Sequence, residues 1–144
     1  MKGTNIGKKR SAGSYAGAVL GNAVLMVLLN LLPRWDVSGV LPGYADVLWA
    51  INLSLGVQIA GNLVLILLHP KWLHHLSNVI FSVVGIVAVS ALRRVFPFDF
   101  GALVGEWLNV FLRVFLIVVL VIMAVSGLVH LFLFLRTLPP RDQK

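Results

Sequence analysis

Four long apolar stretches, separated by short segments of glycine, proline and charged residues, organise the chain. The longest runs over residues 107–135, and between Arg113 and His130 it carries no charge. Roughly 29 residues at about 1.5 Å each make a helix of about 43 Å, against a hydrocarbon core of about 30 Å. Such a helix must tilt or project into water. The other stretches cover about residues 14–32, 47–68 and 72–92. The pattern predicts an all-α fold: a four-transmembrane-helix antiparallel bundle, residues 1–144 forming a single membrane domain behind a basic N-terminal tail, 1–13.

Polar residues inside the apolar stretches predict how the spans pack. Gly13, Gly17 and Gly21 recur at four-residue spacing in the first span, a small-residue face that lets another backbone come close. In the second, Ser54, Gln58 and Asn62 fall at i, i+4 and i+8, with Asn52 on another side. Amides facing lipid are costly, so these residues should face other helices or a wet cavity. With Asn22 and Asn78 they form a candidate polar path. The third span also places Asn78, Ser82 and Gly85 on one face. His69-Pro70-Lys71 reads as a tight turn between the second and third spans, and Pro139-Pro140 as the stop of the fourth. The segment 95–105, with Phe96, Phe98 and Phe100, is too aromatic for a free loop and should lie in the interface. Trp35, Trp49, Trp72 and Trp107 each fall near a span end, as an aromatic belt requires.

Composition agrees: 59% of residues are hydrophobic and 12% charged, with mean hydropathy +0.95. The net charge of +7 does not indicate nucleic acid, because the basic residues sit at the ends of apolar runs. Basic residues set the orientation. With the N-terminus inside, Lys2, Lys8, Lys9, Arg10, Lys71, Arg136, Arg141 and Lys144 are cytoplasmic, and only Arg34, Arg93 and Arg94 lie outside. Both termini are then cytoplasmic. The first apolar stretch lacks a small-residue cleavage pattern and reads as an uncleaved span. The absence of cysteine removes disulfides, iron–sulfur clusters and thiol catalysis.

Two side-chain sets carry candidate chemistry. Glu106, Asn109 and Arg113, at i, i+3 and i+7, share one helix face and make a candidate polar or anion site. The plainer reading has Glu106 neutralising Arg113. His130 with His74 or His75 is chemically able to hold haem b, yet no paired-histidine pattern at matched depth supports it. No cofactor and no metal site is therefore expected. No carboxylate lies deep in a span and no phosphate-binding glycine loop appears, so the expectation is a protein that is not an enzyme.

Leu48-Trp49-Ala50-Ile51-Asn52-Leu53-Ser54-Leu55 and Arg94-Val95-Phe96-Pro97-Phe98-Asp99-Phe100 resemble signatures in a group of small bacterial four-helix membrane proteins. The resemblance covers about residues 46–100 and implies a multi-pass protein of the bacterial cytoplasmic membrane. It carries over no catalytic residue. Two functions fit these readings. One is a non-enzymatic accessory or self-associating subunit, with the bilayer and either a homo-oligomer or another membrane protein as partners. The alternative is a small transporter or channel for a small solute, an anion among the candidates. The chain is similar in size to small four-span exporters, but those depend on a membrane-embedded carboxylate that it lacks.

Overall fold

Hydropathy marks where a helix enters lipid, and helices run past that point wherever the flanking residues favour helix. A computed structural model of the chain describes residues 5–35, 37–68 and 70–137, with the side chains of 5–11 and 102 left aside. It contains α1 (Asn5–Leu31), α2 (Leu48–Leu67), α3 (Lys71–Val95), the single turn α4 (Gly101–Val104) and α5 (Glu106–Thr137). Four of them, α1, α2, α3 and α5, are long and apolar enough to cross a membrane. The first helix starts at Asn5, ahead of the span that begins at Ala12, because Lys8, Lys9, Arg10 and Ala12 are good helix formers. Asp46 does not cap α2. It lies in a 3-10 segment, Pro42–Val47, that precedes the helix. Asp36, His69, and residues 138–144 with Pro139 and Pro140 lie outside the described residues.

The helices form an open row, in which α1 packs on α2, α2 on α3, and α3 on α5. Among the described residues no Cα of α1 comes within 8 Å of α5. Residue numbers run in opposite senses across the contacts: Asn22 meets Gln58 and Asn30 meets Asn52, while Gly85 lies against Met123 and His75 against His130. Close approach is provided by isolated glycines. A Cβ on Gly61 would lie 2.5 Å from the Phe81 ring, one on Gly85 2.9 Å from Met123 Cε, and one on Gly127 3.1 Å from Ser82 Cβ.

The tightest packing is at the end of the row that carries the longer loops. Tyr44, Val47 and Pro97 are the largest fully buried side chains, and the Tyr44 hydroxyl donates to the Leu29 carbonyl at 3.2 Å. Two loops are zipped together there. Leu41 N–H donates to Pro97 O at 3.0 Å and Asp99 N–H to Gly39 O at 2.8 Å, around an isolated Val40–Phe98 bridge. The segment 96–100 is therefore tied down by backbone bonds and stacked rings, with Phe98 and Phe100 at 6.0 Å and 14°. All four tryptophans are exposed, as residues that anchor in a lipid interface should be.

Candidate functional site

The polar residues of the first two spans are consumed in pairing. Asn22 Nδ2 donates to Gln58 Oε1 at 3.4 Å, and Gln58 Nε2 donates to Ser54 Oγ at 3.2 Å. Asn62 is buried and donates to the Gln58 carbonyl at 2.7 Å. Asn52 and Asn30 exchange reciprocal bonds of 3.0 and 2.6 Å. Asn30 is absent from the sequence-based set, although it stands eight residues after Asn22 and so shares its face. Asn78 turns back on its own helix, donating to the His74 carbonyl at 2.7 Å. Among the described residues no buried side-chain nitrogen or oxygen lacks a partner. Six of the seven polar residues thus join α1 to α2 or brace α2, while Asn78 sits apart on α3.

The histidines come together, contrary to the expectation drawn from depth along each helix. His75 Nδ1 and His130 Nδ1 lie 3.2 Å apart, and the His74 ring centroid is 5.5 Å from that of His75 and 6.1 Å from that of His130. Tyr15 of α1 reaches across to His74 Nδ1 at 3.0 Å. Depth along each helix is a poor guide because α5 is longer than α3 and the two need not share a boundary. Imidazoles that bind one metal from opposite sides hold their nitrogens about 4 Å apart, at the usual distance of about 2 Å each. The His75–His130 pair is in direct contact instead. Among the described residues no three His, Asp or Glu side chains are placed to hold a metal ion.

The third set gathers where the C-terminal end of α3 meets the start of α5. Asn109 is buried; its Oδ1 accepts from Phe100 N–H at 3.0 Å, and its Nδ2 donates to Asp99 Oδ1 and Glu106 Oε2, both at 3.3 Å. Asp99 Oδ1 also accepts from Gly101 N–H at 3.1 Å. The two carboxylates are therefore held around the Asn109 amide. The Arg113 guanidinium lies over the Phe96 ring, 4.4 Å from the centroid. Phe96 is the residue that ends α3, in the left-handed conformation with φ 40°. A cavity of about 530 Å³ is lined by Asp99, Glu106, Asn109 and Arg113, with Phe96 and Phe98 among the remaining lining residues. The expected trio does share one site, and Asp99 belongs to it. That aspartate was visible in the sequence only as part of an aromatic loop.

Gly13, Gly17 and Gly21 lie together on an exposed face of α1, where a Cβ on any of them would meet nothing within 4 Å. The contact of α1 with α2 runs instead through Asn22, Met26 and Asn30. No family model, no curated protein and no solved structure matches this chain.

Proposed function

We propose that this chain is a non-enzymatic membrane subunit, working in the bacterial cytoplasmic membrane, that associates through the small-residue face of α1 with a second copy or another membrane protein. The open space over Gly13, Gly17 and Gly21 carries this reading. In lipid there is no hydrophobic drive to join helices, so a face that admits close backbone approach is what makes association favourable. The hydrogen bonds among Asn22, Asn52, Ser54, Gln58 and Asn62 support packing over a transport path, since these groups already satisfy one another.

The decisive experiment is crosslinking in lipid of a Gly17→Leu, Gly21→Leu double variant. The association constant is expected to fall by about tenfold, equivalent to about 1.4 kcal/mol, and the crosslinked fraction with it. Thermal stability of the monomer should hold or rise, because leucine is a better helix former than glycine and nothing obstructs it. Unchanged crosslinking would turn the interpretation towards the transporter.

The antiparallel arrangement with both termini cytoplasmic belongs to the same proposal. The inverse pairing of residue numbers between neighbouring helices supports the first part, and the bias of eight basic residues to three supports the second. A reporter at either terminus is expected to be cytoplasmic and one inserted at Ser38 external. A C-terminus found outside would sink the orientation.

A further inference from the structure

Beside the carboxylate site lies a second cavity, of about 690 Å³, lined by Ser90, Arg93, Arg94, Val95, Phe96, Arg113 and Ile117. Three of these seven residues are arginines and none is acidic. Arg93 and Arg94 alone need no ligand, since cations at a helix C-terminus offset its dipole. Arg113 has no such explanation: it comes from another helix, seven residues and about 10 Å along α5 from Glu106. The left-handed end of α3 puts the Phe96 ring beneath it. Stacking engages the face of a guanidinium, while its N–H donors lie around the edge. The nearby carboxylates sit off this cavity. Asp46 shares a different one with Arg94, and Asp99 and Glu106 share the smaller one with Arg113.

We propose that the cavity formed by Arg93, Arg94 and Arg113 binds a phosphate-bearing anion at the membrane boundary. Guanidinium matches phosphate oxygens in bidentate fashion, and the Ser90 hydroxyl adds a further donor. The cavity volume falls in the range of small-ligand sites. Two sources share this chemistry: the phosphodiester of a lipid headgroup, for which Val95 and Ile117 supply an apolar wall, and soluble phosphate. This site is independent of the α1 face, so it stands or falls separately from the association reading.

The test uses the full chain in a neutral detergent, examined by native mass spectrometry with added phosphatidylglycerol or phosphatidylcholine, and by calorimetric titration with inorganic phosphate. Binding of phosphatidylglycerol in preference to phosphatidylcholine identifies an anionic-lipid site. Saturable binding of inorganic phosphate identifies a soluble-anion site. In either arm, R93Q/R94Q and R113Q are each expected to weaken binding by about tenfold or more. R113K, which keeps the charge but not the fork, should weaken it by a smaller factor. The lysine variant and the R93Q/R94Q pair, whose side chains are exposed, keep the test valid if R113Q folds poorly. Absence of selective binding in both arms, or variants that bind as the parent does, would overturn the proposal.

Discussion

Replacing Gly39 with valine is expected to lower the melting temperature in detergent more than any surface substitution in the chain. Gly39 has φ +94°, where a side chain strains the backbone and a β-branched one strains it most. A Cβ there would also run into the Phe100 ring and come within 3.1 Å of the Asp99 carbonyl oxygen. Neither neighbour is free to move. Phe100 is stacked on Phe98, and the Asp99 amide donates to the Gly39 carbonyl at 2.8 Å. Backbone strain of about 1–3 kcal/mol and a similar overpacking cost give about 2–6 kcal/mol together. Gly39→Ala should fall between parent and valine. Gly43→Ala is the control: its backbone is unstrained and its Cβ would meet Val95 Cγ1 at 3.2 Å, a contact that gives readily. A Gly39→Val protein that melts with the parent would show that the two loops are not zipped as described.

That glycine illustrates what a sequence can carry. Four spans were legible because a slab about 30 Å thick demands about twenty apolar residues in a row, whatever the helices touch. The tryptophans near the span ends follow from the same geometry. The open row was not legible, because in lipid a face turned to a neighbour and a face turned to acyl chains are both apolar. Regular spacing directed attention to Gly13, Gly17 and Gly21. The glycines that seat another side chain, Gly61, Gly85 and Gly127, follow no four-residue repeat, since close packing is a property of two helices together. The histidine pair and the three-arginine cavity were hidden for that reason too. Each joins α3 to α5, and neither segment read singly contains it. The trio of Glu106, Asn109 and Arg113 was legible because it lies on one helix, although its internal bonding was not.

Substitution of Asn109 by leucine should separate the structural part of that trio from the part left for a ligand. The amide makes three bonds, and no apolar side chain replaces any of them. Leucine would leave the Phe100 N–H without its acceptor, at about 1–3 kcal/mol for a buried donor. It would also remove the donor shared by Asp99 and Glu106. Both carboxylates are exposed, so water screens their repulsion and this second effect is the smaller. The expected loss is about 2–4 kcal/mol, read as an earlier thermal transition in detergent. Asn109→Asp sharpens the test, because it keeps an oxygen for Phe100 N–H while placing a third carboxylate between the other two. Adding Glu106→Gln should recover part of that loss, since the new amide can donate to the introduced carboxylate. Arg113 lines the same cavity but stacks on Phe96, so Arg113→Leu should shift the transition far less than Asn109→Leu. The reverse order would mean that Arg113 holds the end of α5 in place and Asn109 is dispensable, contradicting the bonding described.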